Sequence, residues 1–143
     1  MATRIIFACV GNSCRSQMAE AFCRDMGREV ECYSAGSRPA AEVQPDTVAV
    51  MKEDGIDIAG ARPKIFDELA GTDFDYLVTM GCEVACPFLP GAKRVEWDIP
   101  DPYGKGITEY RKVRSLVRRR VRELLERLDL LRHQPEDDHQ PLA

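Results

Sequence analysis

Apolar residues along the first two thirds of the chain come in short bursts separated by polar stretches marked by glycine. Residues 4–8 (RIIFA) form a compact apolar run rich in branched side chains, the pattern of a strand buried on both faces. After a loop of small residues, Met18, Ala19, Phe22 and Met26 recur at helical spacing, which predicts a helix over 16–26 stopped by Gly27. Residues 30–34 read as a second strand closed by Ala35 and Gly36. Gln44-Pro45-Asp46 opens a helix that carries Val48, Met51 and Lys52 and ends at Gly55. Residues 64–69 suggest a short helical turn, 76–80 (YLVTM) a third buried strand and 93–97 a fourth. Thr108 is placed to cap a long last helix with Val113, Val117, Val121, Leu124, Leu128 and Leu131 on one face. Strands alternating with helices make βαβ units, so the expected fold is α/β: a three-layer sandwich around a four-stranded parallel sheet. Ligands of such sheets bind beyond the carboxyl ends of strands, here after Ala8, Met80 and Trp97.

The chain has 143 residues, the size of one domain. Residues 1–132 carry the periodic pattern, and 133–143 form a polar tail expected to be disordered. Twenty basic against twenty-four acidic side chains leave a net charge of −4, which excludes the broad basic footprint of a nucleic-acid binder. The last helix and its flanks (108–132) hold nine basic and four acidic residues. No aromatic signal accompanies these arginines, so they read as a solvated face with Arg119–Glu123 and Arg122–Glu126 pairs four residues apart. No apolar stretch approaches the roughly 18 residues of a membrane span. The sequence runs straight into strand-like residues, so no signal peptide is expected, and a cytoplasmic, reducing setting is.

That setting gives weight to the six cysteines, Cys9, Cys14, Cys23, Cys32, Cys82 and Cys86, as catalytic or metal-binding groups rather than as a disulfide framework. The two histidines, His133 and His139, both lie in the tail. The body therefore lacks imidazole, which disfavours Ser-His-Asp and Cys-His catalysis and histidine-bearing zinc sites, and no metal is expected. Cys23 falls on the first helix and Cys32 in the second strand, both expected in the core.

Cys9-Val10-Gly11-Asn12-Ser13-Cys14-Arg15-Ser16 lies between a buried strand and a helix start. A short loop containing Gly11 and Asn12 can turn the backbone N–H groups of Val10, Gly11, Asn12, Ser13, Cys14, Arg15 and Ser16 inward as an anion nest. The helix N-terminus adds its positive end, and Arg15 a planar fork suited to a tetrahedral oxyanion. Cys9 would face that electropositive bowl as a thiolate nucleophile without a histidine, with Ser16 or Ser13 bonded to its sulfur. Cysteine and arginine six apart are common. Their place at a strand-to-helix junction is what makes the pattern specific.

The segment CVGNSCRSQMAEAF resembles the active-site loop of thiol-coupled arsenate reductases of the low-molecular-weight tyrosine phosphatase-like family. The likeness extends through SAGSRPA, DGIDI, YLVTMGC, WDIPDPYGKG and the last helix. Gln17, after Arg15 and Ser16, is similar to the reductase form, where the phosphatases usually carry proline.

The resemblance implies a family fold and arsenate reduction for detoxification, with phosphotyrosine or small-phosphoester hydrolysis as the alternative. Arsenate or a similar oxyanion would bind the loop. Among the two aspartates after the fourth strand, Asp98 and Asp101, it assigns Asp101 as the acid that protonates the departing oxygen. It implies that Cys82 and Cys86 relay the disulfide, although they lie closer together than the pair of the thioredoxin-linked branch. No cofactor would be bound, and the reductant would be an external thiol such as thioredoxin. Cys14 could bridge to Cys9 on oxidation. Lys64 stands where some members carry an acidic residue serving a potassium ion, so that site is expected to be absent or altered.

Overall fold

The computed structural model describes residues 2–81 and 89–132. Cys82, Cys86 and the tail over 133–143 lie outside the described residues. Four strands form one parallel sheet: β1 (Thr3–Cys9), β2 (Val30–Gly36), β3 (Tyr76–Thr79) and β4 (Lys93–Glu96), in the order β2-β1-β3-β4. The helices are α1 (Arg15–Met26), α2 (Pro45–Glu53) and α3 (Ile107–Arg127), and a 3-10 turn spans Phe66–Leu69.

Alternation along β1 divides the core. Ile5, Phe7 and Cys9 face α1, α3 and the buried Val50 and Met51 of α2. Ile6 and Ala8 face the other way, with Ala35, Phe74 and Leu77, under a thinner layer that includes Phe66 and Leu69 of the turn and Leu89. With neighbours on both edges and both faces covered, the central strand needs the unbroken apolar run seen in its sequence. Cys9 thus ends β1 at the carboxyl edge of the sheet. Trp97 packs its ring 5.9 Å from that of Phe7, which anchors the loop after β4 at the same edge.

Three expectations change. The first intrahelical bonds of α3 run from Glu109 and Tyr110 N–H to the Gly106 carbonyl, so Gly106 is the cap and Thr108 already lies in the first turn. The α3 stripe includes buried Tyr110 and Leu125, while Leu128 and Leu131 sit half-buried beyond the helix end. Glu123 pairs with Arg120 at 3.7 Å rather than with Arg119, although the Arg122–Glu126 pair forms at 3.9 Å. Arg111 and Arg114 instead cross to Glu53 at the end of α2 and hold its carboxyl down at about 2. Arg118 reaches Asp54 at 3.0 Å. The basic face is largely a salt-bridged seam between two helices. None of the described helices is long and apolar enough to cross a membrane.

Candidate active site

The loop after β1 owes its shape to where its carbonyls point. The carbonyl of Cys9 accepts from Ser37 N–H at 3.4 Å, that of Val10 from Arg38 N–H at 2.9 Å, and that of Gly11 from Ala40 N–H at 2.9 Å. The Ser13 carbonyl accepts from Gln44 N–H and from the Thr47 hydroxyl. With these carbonyls bound to the segment after β2, the amides of Val10 to Ser16 are left for the concave side, and no acceptor among the described residues takes them. Unmatched donors of this kind, gathered at a helix start, form an anion site.

Gly36 permits the close approach of the two segments. A Cβ there would sit 2.5 Å from the Val10 carbonyl oxygen and 3.0 Å from the Asn12 nitrogen. Gly36→Val is expected to displace the loop and lower kcat on the order of 10²-fold, the cost of misplacing reacting groups by about 1 Å. Steady-state kinetics on a variant with an unchanged circular dichroism spectrum would check this. An unaltered kcat would show that the loop tolerates the shift.

Cys9 is 2% exposed, and its Sγ lies 2.9 Å from the Ser16 hydroxyl. Asn12, at φ 51, takes the left-handed conformation that asparagine tolerates better than most residues. Its Oδ1 accepts from Lys64 N–H at 2.8 Å, which orients the amide so that Nδ2 donates to Ser16 Oγ at 2.8 Å. Ser16 Oγ accepts from Asn12, and toward a Cys9 thiolate, which can only accept, its hydrogen would be the donor. Of the two serines offered by the sequence, Ser16 is the sulfur's partner. Ser13 Oγ instead lies 3.8 Å from the sulfur of Cys14. Gln17 Nε2 reinforces the arrangement by donating to Asn12 and to the Arg62 carbonyl.

Arg15 is 7% exposed and reaches the loop after β4, donating from Nη1 to the Ile99 carbonyl at 3.0 Å. Its Nη2 lies 3.7 Å from Asp101 Oδ2, and its buried Nε has no protein partner among the described residues. Gly81, at φ 93, lets the end of the β3 loop pass the guanidinium, since a Cβ there would fall 2.8 Å from Nη1. Cys9, Ser13, Arg15 and Asp101 line one cavity of about 240 Å³, with the exposed Tyr103 at its edge. Asp101 accepts from Tyr103 N–H at 3.1 Å and stays more than half exposed. Asp98 lines a different hollow with Thr79 and Glu96. Of the two aspartates, only Asp101 shares the cavity with Cys9.

Cys14 also lines this cavity, but its thiol donates to the Tyr110 hydroxyl at 3.6 Å, and burial pushes its pKa up. Cys23 and Cys32 lie in the core as expected, yet they are joined as a disulfide between α1 and β2, which departs from the expectation of catalytic or metal-binding cysteines rather than a disulfide framework. Their side chains meet because the first helix packs directly against the second strand, with Cα atoms 6.1 Å apart. Among the described residues no cluster of three metal-ligating side chains occurs.

Residues 4–134 match the family of low molecular weight phosphotyrosine protein phosphatases. The chain belongs to this family. A curated relative, the glutaredoxin arsenate reductase of Synechocystis sp., is 31% identical over 128 residues, covering 87% of this chain and 98% of its own. The solved arsenate reductase of Archaeoglobus fulgidus superposes with a TM-score of 0.76 at 33% identity, over 85% of this chain and 98% of that one. A thioredoxin-dependent arsenate reductase of Corynebacterium glutamicum gives a TM-score of 0.72 at 32% identity, over 90% of this chain and 62% of that one. Within the family frame, the parts that sequence reasoning missed are the close approach at Gly36, the bond from Lys64 N–H to Asn12 and the orienting role of Asn12. All three act through contacts across the fold.

Proposed function

We propose that this chain reduces arsenate to arsenite with an intramolecular thiol relay, in the service of arsenic detoxification. The observation that carries the reading is the cavity in which Cys9, its sulfur 2.9 Å from the Ser16 hydroxyl, meets unmatched backbone amides, Arg15 and Asp101. The relatives named as arsenate reductases support the choice of oxyanion.

Arsenate occupies the amide bowl, gripped by Arg15. The Cys9 thiolate attacks arsenic, and an oxygen leaves as water after Asp101 supplies a proton. Cys82 then attacks the Cys9 sulfur. The electron pair of the sulfur–arsenic bond passes to arsenic, which leaves as arsenite, reduced by two electrons, while Cys9 and Cys82 become a disulfide. Cys86 attacks Cys82, frees Cys9 and leaves a Cys82–Cys86 bond for an external dithiol, which we take to be thioredoxin, in the cytoplasm.

Arsenite production with purified thioredoxin and its reductase, compared with glutaredoxin and small thiols, tests the reading and the donor together. Absence of arsenite with every donor would sink it. The family's name favours a second reading, hydrolysis of phosphotyrosine or small phosphoesters at the same loop. Aryl phosphate turnover without any arsenite would put that reading first.

Asp101→Asn is expected to retain oxyanion binding and to lower turnover roughly 10²–10⁴-fold, the range for losing a general acid. Asp98→Asn, whose side chain opens on another hollow, should do much less. Comparing kcat for the two variants, with phosphate affinity measured in parallel, decides the assignment. An exchange of their behaviours would make Asp98 the acid.

A further inference from the structure

Glu20 of α1 carries a carboxylate only 10% exposed beneath the loop. Its Oε1 accepts from the buried Ser34 hydroxyl of β2, and its Oε2 pairs with Arg24 Nη2 at 2.6 Å. The Arg24 side chain is 65% exposed, so that contact stands largely in water. The positive charge inside the structure comes from Lys64, whose side chain is 20% exposed and whose Nζ lies 3.7 Å from Glu20 Oε1. A carboxylate withdrawn from water demands such a partner, and without Lys64 the Glu20 carboxylate keeps only the Ser34 hydroxyl and the largely solvated Arg24.

The backbone of the same residue holds the active-site loop. Lys64 N–H donates to Asn12 Oδ1 at 2.8 Å, and the Lys64 carbonyl accepts from Gly36 N–H at 2.8 Å. Nζ also donates to the Arg62 carbonyl, the oxygen that receives Gln17 Nε2. One residue therefore ties a buried charge on α1 to the amide that directs Ser16 at the Cys9 sulfur.

We propose that Lys64 is a positioning residue for the reaction at Cys9: its ammonium, fixed on Glu20, holds its own backbone N–H on Asn12 and thereby aims the Ser16 hydrogen at the sulfur. The proposal rests on Cys9 being the nucleophile. Loss of the ammonium frees the segment over 62–64, lets the Asn12 amide turn and takes the hydroxyl off the sulfur. The oxyanion contacts of the loop amides and Arg15 are untouched, so binding survives while reactivity falls.

The test uses the full chain and two readouts: steady-state arsenate reduction, and the rate of Cys9 alkylation followed by mass spectrometry with and without phosphate. Lys64→Met is expected to lower kcat and the alkylation rate about tenfold, the scale of losing an outer partner that orients an active group. KM for arsenate should stay within about twofold. Lys64→Arg, which keeps the charge, should recover most of both. Wild-type rates in Lys64→Met, or equal losses in Lys64→Met and Lys64→Arg, would overturn the role. If Lys64→Met does not fold, Glu20→Gln removes the opposite charge and should give the same split between kcat and KM; an unchanged kcat there is equally fatal. Wild-type labelling that phosphate does not slow would sink the nucleophile assignment. Protected wild-type labelling with Lys64→Met at the wild-type rate would sink the role of Lys64 alone.

Discussion

Cys9→Ser is expected to abolish arsenate reduction and any phosphoester hydrolysis together. The thiolate is the reactive form of cysteine, and a serine hydroxyl in its place remains protonated at neutral pH. The reductive step is closed for a second reason. Arsenic receives its electrons only when a thiol attacks Cys9 and a disulfide takes their place, and an oxygen cannot form that bond. Cys14 lines the same cavity but is not expected to replace Cys9, because its thiol donates to the Tyr110 hydroxyl and is raised in pKa. The variant should nevertheless fold and bind phosphate, since the amides and Arg15 are unchanged. Arsenite assays, aryl phosphate assays and phosphate titration of the variant check each statement. Residual reduction traced to a Cys14 adduct would move the nucleophile within the loop.

What the sequence made legible is what lies close along the chain. A buried strand, a small-residue loop and a helix start occupy contiguous residues, so the cradle of Cys9 and Arg15 could be read from its place at that junction, with Ser13 and Ser16 both open as the sulfur's partner. The loop after β4 was readable as a second edge of the site, but two aspartates three residues apart left the acid ambiguous without the family's Asp-Pro motif. Only the fold separates them, by turning Asp98 into another hollow. The supports of the cradle were not legible, because each joins distant residues. Asn12 meets Lys64 across 52 positions, and Gly36 meets Val10 across two elements. The same limit explains the arginines of α3. Spacing along one helix suggested pairs within it, whereas Arg111, Arg114 and Arg118 cross to the end of α2. Cys23 and Cys32 looked like separate core residues because nothing local says that the first helix lays one against the second strand.

The thiol relay is expected to leave a different covalent trace in each cysteine variant. Gly81, the residue before Cys82, runs against the Arg15 guanidinium. In a helical turn, residues four apart lie about 6 Å apart along the axis, inside the roughly 4.4–6.8 Å between Cα atoms that a disulfide accepts. Wild type after one turnover should thus carry a Cys82–Cys86 bond in addition to the Cys23–Cys32 bond of the fold. Cys86→Ser should stop one exchange earlier and accumulate Cys9–Cys82. Cys82→Ser should hold arsenic on Cys9 and release no arsenite beyond the adduct, a loss of turnover as complete as that of Cys9→Ser. Peptide mapping after arsenate treatment separates the three states, with untreated protein as the reference for Cys23–Cys32. A productive Cys9–Cys14 bond, together with full activity in Cys82→Ser, would remove the relay. The amide bowl, Cys9 and Asp101 would then still suffice for hydrolysis, which needs one sulfur and no electron donor.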